Sequence, residues 1–364
     1  MSRNVVKAKN METKLSPTNA EASSLVKASE GRSAGKPTLL QKFISEFLEY
    51  CEIGKNQSQH TIQAYFRYLK RFREFAHQND IKSPKDINLE LIKQYRLFLN
   101  RLEDESGQTL KLITQNYHLI ALRAFLKYLT KQDVQTLAPE KVELPKNPER
   151  QVEFLDTDEL HRLFEATKQE KDETARLRDY AILETLFSTG LRVSELASLK
   201  RDTINLERRE FTVRGKGSKL RLVFLSEAAA TAIKKYLSKR NDNNKALFIA
   251  HTKIGQSVEK QMESQGAKIR NSKFEIRNSA TNLTPRSIQR IIKKYCLLAG
   301  IVKKVSPHTL RHSFATDLLQ NGADIRSVQT LLGHASITTT QIYTHITNQG
   351  LRDIHKKYHG KSIK

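Results

Sequence analysis

Pro139, Pro145 and Pro148 interrupt the chain and separate two regions whose apolar residues follow different periods. Proline lacks a backbone N–H and cannot continue a helix, so LAPEKVELPKNPERQVEFL predicts an extended linker, which we place at residues 137–154. Helical patterns alone precede this linker, and both helical and strand patterns follow it. The expected fold class is therefore mainly α, with a mixed α/β second domain that contains a small antiparallel sheet.

Four amphipathic segments make up the first domain, which we place at residues 37–136. Apolar residues recur at helical spacing in LLQKFISEFLEYCEI, SQHTIQAYFRYLKRFREFAHQ, LELIKQYRLFLNRL and LITQNYHLIALRAFLKYLTK. Ser58 is the predicted N-cap of the second helix. Short connections between the four segments predict a compact four-helix bundle.

The second domain is expected at residues 155–360, with Asp156 or Thr157 capping its first helix. Further helices are predicted at 227–239, 284–299 and 308–320. Two polar segments flank or interrupt these domains. Residues 1–36 predict a disordered basic tail, and residues 252–283, which repeat the tetrapeptide IRNS, predict a mobile insertion.

The segment REFTVRGKGSKLRLVFL changes the period of the apolar residues from helical to alternating. Phe211 and Val213 alternate with polar residues before the turn GKGS, and Leu220, Leu222 and Phe224 alternate after it. Alternation on both sides of a glycine-containing turn is typical of a β-hairpin.

The charge of the chain indicates the class of its partner. There are 63 Lys+Arg residues against 39 Asp+Glu residues, a formal net charge of +24. Such an excess favours a polyanion, and nucleic acid is the expected partner. An anionic membrane surface is disfavoured, because no long helical pattern separates a basic face from an apolar one. A basic protein with an unrelated role is the remaining alternative.

Basic residues on the outer faces of the four-helix domain are candidates for contacts with a DNA backbone. Each alone is a solvated surface charge, and together they form a candidate binding surface. They are Arg67, Lys70, Arg71, Arg73, Arg123 and Lys127.

The two cysteines, Cys51 and Cys296, occur in no CxxC motif and no Cys/His cluster. A disulfide framework and a structural zinc site are therefore not expected. No apolar run approaches the ~20 residues that span a bilayer, and no signal peptide is evident. A cytoplasmic protein without a bound metal is the expectation from these features.

Five short motifs in the second domain carry residues suited to phosphate chemistry. Arg192 follows Gly190 where one predicted helix ends and the next begins, and Lys216 lies in the hairpin turn. His308 and Arg311 are three residues apart, which places them on one face of a predicted helix. The remaining candidates are His334 and Tyr343.

Each candidate also has a simpler structural interpretation. His308 and Arg311 can be a surface pair, Arg192 can pair with Glu195 within a helix, and Lys216 can be a solvated turn residue. Tyr343 can be an aromatic side chain packed in a core, as most tyrosines are.

Taken together, the six residues predict attack on a phosphodiester without a metal. Two arginines can bind the non-bridging oxygens of a phosphate and neutralise charge in the transition state. A tyrosine phenol, with an unperturbed pKa of about 10, needs a base or a cationic pocket to attack at neutral pH. His308 or His334 can assist it, and Lys216 can protonate the leaving oxygen.

The motifs also resemble those of a known family. GLRVSEL, RGKGSKLR, HTLR, LLGH and QIYTH occur in the order found in the catalytic domain of tyrosine recombinases, the phage integrase family. The run SPHTLRHSFATDLLQNGADIRSVQTLLGHASITTTQIYTH is similar to Xer-type recombinases within it. The four-helix domain is similar to the family's SAM-like core-binding domain. The resemblance covers about residues 38–358 and implies two domains that form a C-shaped clamp on DNA.

The resemblance implies a role for each candidate. Tyr343 would attack a DNA phosphate to give a 3′-phosphotyrosyl bond and a free 5′-hydroxyl. Arg192 and Arg311 would hold that phosphate, and His334 would add a hydrogen bond. Lys216 would be the general acid for the 5′-oxygen, with Lys219 as the second candidate. His308 would handle the tyrosine proton, Glu195 would orient Arg192, and His312 and His345 would be structural or accessory.

The resemblance further implies a double-stranded DNA recombination site as substrate and a tetramer on two DNA sites. The C-terminal tail would pack on a neighbouring subunit or on its own subunit. It carries Leu351, Ile354 and Tyr358 at helical spacing. A paralogous recombinase and a DNA translocase are possible partners, no cofactor is required, and the enzyme would be associated with the nucleoid. The insertion and the N-terminal tail are longer than Xer-type chains usually show.

The leading hypothesis is an Xer-like recombinase that resolves chromosome or plasmid dimers. The alternatives are an integrase or transposase of a mobile element, a DNA-binding relative that no longer cuts, and a type IB topoisomerase. The complete set of six residues argues against the non-cleaving relative, and the Xer-like run argues against the topoisomerase.

Overall fold

The computed structural model describes residues 38–103, 107–146, 153–215, 220–251, 282–334 and 336–343. The chain divides into two compact units between residues 149 and 150. Several predictions fall outside the described residues: the tail at 1–36, the insertion from 252 to 281, Lys216, Lys219, His345 and the C-terminal segment with Leu351, Ile354 and Tyr358.

The first unit contains the four predicted helices. They are α1 (Leu39–Glu49), α2 (Gln59–Gln78), α3 (Leu89–Arg101) and α4 (Leu112–Lys131). Side chains cap three of them, because Thr38, Ser58 and Asn88 accept hydrogen bonds from backbone N–H groups three residues later. The predicted cap at Ser58 is therefore confirmed.

One apolar core holds these four helices together. Each fully buried Leu or Phe side chain contributes about 1.5–3 kcal/mol relative to an exposed one. The core includes Leu40, Phe47, Leu69, Phe72, Tyr95, Leu99, Leu122 and Phe125.

A buried polar cluster links three helices of the first unit. His118 Nδ1 lies 3.2 Å from the Tyr95 hydroxyl, and its Nε2 lies 3.4 Å from Nη1 of Arg71. Burial and the charge of Arg71 lower the pKa of His118 to about 4, so the imidazole is neutral at pH 7. The sequence predicted Arg71 to be an outward-facing DNA contact, but its guanidinium also takes part in this internal cluster.

The first part of the predicted linker packs on the first unit. Pro139 begins a short 3₁₀ turn, Pro139–Lys141, and Val142 is fully buried in the core. The buried amide of Asn116 donates a 2.9 Å hydrogen bond to the carbonyl oxygen of Pro145. The chain is thus held against this unit as far as Pro145, rather than extended from residue 137.

The second unit combines helices with one small sheet, as predicted. Its helices are α5 (Thr157–Ala166), α6 (Glu173–Thr189), α7 (Val193–Ala197), α8 (Glu227–Ser238), α9 (Pro285–Leu298), α10 (Pro307–Gln320), α11 (Ile325–Leu332) and α12 (Thr338–Gln341). Asp156 caps α5, and Ser306 followed by Pro307 starts α10. None of the helices described in either unit is long and apolar enough to cross a membrane.

The sheet has three antiparallel strands in the order β1-β2-β3. They are β1 (Ile204–Asn205), β2 (Glu210–Arg214) and β3 (Leu220–Phe224). The predicted hairpin is confirmed as β2 and β3. Its register places Phe211 opposite Val223 and Val213 opposite Arg221, and this set faces the core. The alternating residues Leu220, Leu222 and Phe224, which helped to predict the hairpin, are on the exposed face instead.

The end of the predicted insertion belongs to the core of the second unit. Asn282 forms an antiparallel bridge with Ile249, and Leu283 is buried in the main apolar cluster. The expectation that the insertion continues through residue 283 is thus corrected, because an apolar residue there packs on the domain.

Gly190 makes the turn that leads from α6 to Arg192. Its φ is +58°, and its N–H donates to the carbonyl oxygen of Leu186. A Cβ at this position would lie 2.5 Å from a ring carbon of Phe314 on α10. Both the left-handed backbone and the close approach of α10 therefore require glycine.

Replacing Gly190 by alanine is expected to destabilise the second unit more than the same change at Gly300. Gly300 has a similar φ of +63° but no atom within 4 Å of the added Cβ, so it reports backbone strain alone. We expect Gly300→Ala to cost about 1–2 kcal/mol and Gly190→Ala about 1–3 kcal/mol more, because the new methyl overpacks the core. Urea unfolding of the two variants measures the difference in the free energy of unfolding. Equal losses of stability would show that the Phe314 ring moves aside without a free-energy cost.

Candidate active site

Arg311 is buried at the junction of two left-handed turns. It lies on α10, and its guanidinium donates 2.6 Å hydrogen bonds to the carbonyl oxygens of Gly190 and Leu332. Gly190 ends α6 and Gly333 ends α11, both with positive φ. The turns therefore direct their last carbonyl groups at one cation, which stabilises helix ends and fixes the arginine.

Arg192 lies at the same junction. It is the N-cap residue of α7, and its Nη2 is 3.3 Å from the carbonyl oxygen of Gly333. Its side chain is 29% exposed, whereas that of Arg311 is buried. The structure thus brings together the two arginines that the sequence analysis singled out, one buried and one partly open to solvent.

Burial lowers the pKa of Arg311 to about 10, and the nearby charge of Arg192 acts in the same direction. The guanidinium stays protonated at neutral pH, but its charge is incompletely balanced by two carbonyl groups. An anion bound here would restore that balance, which makes the junction an attractive site for a phosphate.

Glu195 is the acidic residue of the site. It is 7% exposed, and it accepts hydrogen bonds from the backbone N–H of Arg192 at 2.8 Å and from Nη1 of Arg192 at 2.9 Å. Burial alone would raise the pKa of Glu195, but hydrogen bonds from Arg221 and Arg192 lower it to about 2. The carboxylate is therefore ionised throughout the physiological range and holds Arg192 in place.

Arg221 is a member of the site that the sequence analysis did not identify. Its Nη1 and Nη2 donate hydrogen bonds of 2.9 and 2.8 Å to the two carboxylate oxygens of Glu195. The side chain is only 10% exposed. The register of the hairpin was the available signal, because Arg221 shares the inward face of β3 with Val223. An arginine at a core-facing strand position needs a buried partner.

His334 follows Gly333 and is half-buried. Its Nδ1 lies 3.0 Å from the hydroxyl of the buried Thr340. Burial and the charges of Arg311 and Arg192 lower the pKa of His334 to about 4, so the imidazole is neutral at pH 7. When the Thr340 hydroxyl donates to Nδ1, the proton resides on Nε2, and that nitrogen can donate to a bound oxyanion.

Tyr343 is both packed and hydrogen-bonded. The side chain is fully buried in a small apolar cluster with Ala315, Leu319, Val328 and Leu332. Its hydroxyl lies 2.6 Å from Nδ1 of His312. Burial raises the pKa of Tyr343 to about 12, although Arg311 opposes the shift. The phenol is therefore protonated in this environment and has a histidine within reach of its proton.

The family resemblance implies that His308 handles that proton, whereas in the structure it is His312 whose Nδ1 lies 2.6 Å from the phenol oxygen. His308 is the second residue of α10 and is exposed. His308, Arg311 and His312 occupy positions i, i+3 and i+4 of α10, so they share one face of the helix. The spacing alone could not decide which histidine meets Tyr343, because that depends on where α12 packs. Lys216 and Lys219 lie between β2 and β3, outside the described residues.

Each of the two units matches the sequence profile of a known protein family. The sequence profile of the Phage integrase family matches residues 153–349, and that of the Phage integrase N-terminal SAM-like domain matches residues 44–133. The latter match confirms the predicted SAM-like character of the four-helix unit.

Two named relatives match along most of the chain. Tyrosine recombinase XerD of Oceanobacillus iheyensis is 34% identical over 334 residues, which cover 89% of this chain and 100% of that protein. Tyrosine recombinase XerC of Pelobacter propionicus is 34% identical over 326 residues, which cover 89% of this chain and 97% of that protein.

A solved structure shows the same fold. It is the post-cleavage complex of the XerH site-specific recombinase bound to a palindromic difH substrate, with 22% identity and a TM-score of 0.63. The match covers 93% of this chain and 89% of that chain. Since the integrase profile covers more than half of the 364 residues and the XerD relative is matched over its full length, the chain belongs to the phage integrase family of tyrosine recombinases.

Proposed function

We propose that the chain is a site-specific DNA recombinase that cuts and rejoins DNA through Tyr343. One observation carries this proposal: Arg192 and Arg311 converge on the turn before His334, while Tyr343 contacts a histidine on the same helix as Arg311. A cationic pocket beside a hydrogen-bonded phenol suits attack on a phosphodiester.

In the first step, the oxygen of Tyr343 attacks the phosphorus of a DNA phosphate. The phenol proton passes to Nδ1 of His312, which lies 2.6 Å from the phenol oxygen. Arg192 and Arg311 bind the non-bridging oxygens, and His334 donates a further hydrogen bond. The bond to the 5′-oxygen breaks, and Lys216 protonates that oxygen. The products are a 3′-phosphotyrosyl bond and a free 5′-hydroxyl.

Religation is the reverse reaction with a 5′-hydroxyl of the partner DNA. The phosphotyrosyl ester retains the energy of the phosphodiester, so no nucleotide cofactor enters the balance. His312 returns the proton to the phenolate of Tyr343, and Lys216 accepts the proton of the attacking hydroxyl.

The proposed substrate is a double-stranded recombination site of the Xer type. The similarity to XerD and XerC proteins over 89% of the chain supports this choice, together with the fold shared with XerH on its difH substrate. We propose exchange within a tetramer on two sites, with the C-terminal tail on a neighbouring subunit. A paralogous recombinase and a DNA translocase complete the proposed assembly, which resolves chromosome or plasmid dimers at the nucleoid.

The Tyr343→Phe variant tests the nucleophile. We expect the unchanged chain to form a covalent adduct with a nicked suicide substrate that carries a dimer-resolution site of the host, without added metal. The phenylalanine variant should bind the same DNA but form no adduct, because it lacks the attacking oxygen. Denaturing gels measure the adduct and gel shifts measure the binding. Specific binding without an adduct from the unchanged chain, also with a paralogous partner added, contradicts the proposed function.

His312→Gln and His308→Gln compare the two candidate bases. Since Nδ1 of His312 lies 2.6 Å from the phenol, we expect His312→Gln to slow single-turnover cleavage by about 10²-fold or more. His308→Gln, one helical turn earlier on α10, should cause the smaller loss. Rapid-quench measurements of adduct formation provide the rates. A larger loss in His308→Gln would favour the assignment made from the sequence.

The pKa of His334 predicts how its role depends on pH. With a pKa of about 4, His334 donates as a neutral imidazole, and a glutamine amide can replace it in part. We expect His334→Gln to cleave faster than His334→Ala. The ratio of wild-type to His334→Gln rates should stay constant between about pH 6 and about pH 9, because neither donor changes charge there. A ratio that changes near pH 6.5 would show that the protonated imidazole is the active form.

A further inference from the structure

We propose that Arg221 is a positioning residue of DNA cleavage, which acts on the scissile phosphate through Arg192. This inference rests on the proposed function, because it assigns Arg221 a part in the same reaction. Arg221 holds Glu195 on one side and the turn at Gly333 on the other, and Arg192 contacts both of these groups.

The hydrogen bonds to Glu195 are the first observation. Its two carboxylate oxygens accept four hydrogen bonds from the described residues, and Arg221 supplies two of them as a bidentate pair. The backbone N–H of Arg192 supplies a third, and only one comes from the Arg192 guanidinium. Arg221 therefore occupies the carboxylate edge that Arg192 would otherwise bind in the same bidentate manner.

This arrangement bears on what Arg192 can do. A guanidinium in a bidentate pair with a carboxylate uses one full edge for that pair. Because Arg221 holds this position, Arg192 makes a single side-chain bond to Glu195 and stays partly exposed. Its remaining N–H groups are then available for the oxygens of a phosphate.

The packing of Arg221 against Gly333 is the second observation. A Cβ at Gly333 would lie 2.9 Å from Cδ and 3.3 Å from Nε of Arg221, and the φ of Gly333 is +65°. The side chain of Arg221 thus lies directly on the turn whose carbonyl oxygen Arg192 contacts and which precedes His334. Arg221 therefore constrains Arg192 at two points, at Glu195 and at the turn of Gly333.

The unpaired Nε of Arg221 is the third observation. This N–H is buried and has no hydrogen-bond partner among the described residues. A buried donor without a partner costs free energy, and a shorter apolar side chain on β3 would avoid that cost. The contacts of Nη1 and Nη2 with Glu195 are therefore what the arginine contributes at this position.

A purely structural role makes a different prediction from a positioning role. If Arg221 only anchors the hairpin, its loss lowers stability and its effect on cleavage is independent of Arg192. If Arg221 acts through Arg192, its effect on cleavage disappears once Arg192 is removed.

The experiment is a double-mutant cycle on single-turnover cleavage of the suicide substrate at saturating DNA. The variants are Arg221→Gln, Arg192→Gln and the double variant. Arg209→Gln is the matched control, because it removes an arginine that directly precedes β2 and pairs with Glu227 on the exposed surface. Gel shifts measure DNA affinity, and thermal unfolding confirms that each variant is folded.

We expect Arg221→Gln to slow cleavage by about 10- to 100-fold with DNA affinity nearly unchanged, as for residues that orient a catalytic group. The double variant should be no slower than Arg192→Gln alone, and Arg209→Gln should cleave at the wild-type rate. Arg221→Lys, which keeps the charge but forms one bond, should recover part of the rate and serves if the glutamine variant does not fold.

Two results would overturn the inference while leaving the proposed function intact. One is wild-type cleavage by Arg221→Gln, or by Arg221→Lys where the glutamine variant is unfolded. The other is a double variant whose loss is the product of the two single losses. Failure of the unchanged chain to form an adduct would instead contradict the proposed function itself.

Discussion

The site depends on the ion pairs that the buried carboxylate of Glu195 forms with two arginines. Arg192 and Arg221 come from different parts of the second unit, and both end on this one group. Since the pKa of Glu195 is held near 2, the carboxylate remains charged and the two cations remain fixed. Arg311 is held separately, by carbonyl groups at the ends of α6 and α11. A side-chain carboxylate thus holds two of the arginines, and backbone carbonyl groups hold the third. Together the three arginines and Glu195 form one pocket with an excess of positive charge.

The packing of Tyr343 in an apolar cluster is compatible with its proposed role as the nucleophile. The apolar cluster around its ring positions the phenol, and the same burial raises its pKa to about 12. A phenol in that state is a poor nucleophile unless a base accepts its proton as attack proceeds. In the proposed reaction His312 is that base, and the charge of Arg311 favours the phenolate. The surroundings that protect the tyrosine from solvent therefore also make its chemistry depend on neighbouring groups.

The first unit shows how a basic surface is built on a helical core. Sequence patterns place Arg67, Lys70 and Lys127 on outer faces, and these residues are exposed. Arg71 belongs to the same pattern, yet its guanidinium reaches the buried His118, which in turn contacts Tyr95. Long side chains can span the boundary between surface and core, so helical periodicity does not decide where their charges lie.

The sequence by itself determined the two-domain order, the four helices of the first unit, the hairpin and part of the candidate site, namely Arg192, Arg311, His334 and Tyr343. Local rules suffice for these features: apolar spacing, caps such as Ser58 and Ser306, and the proline-rich segment. The order of the motifs likewise predicted the family. Each of these signals except the order of the motifs lies within a few neighbouring residues.

Only the tertiary structure decided which groups meet. Arg221 and Glu195 are 26 positions apart, and His312 and Tyr343 are 31 positions apart. Their contacts depend on the register of β3 and on where the chain after α12 places Tyr343 against α10, which no local pattern specifies. The face of the hairpin that carries Leu220, Leu222 and Phe224 was decided in the same way. Contacts of this kind arise from the joint packing of whole elements, because a shift of one residue in register exchanges buried and exposed side chains.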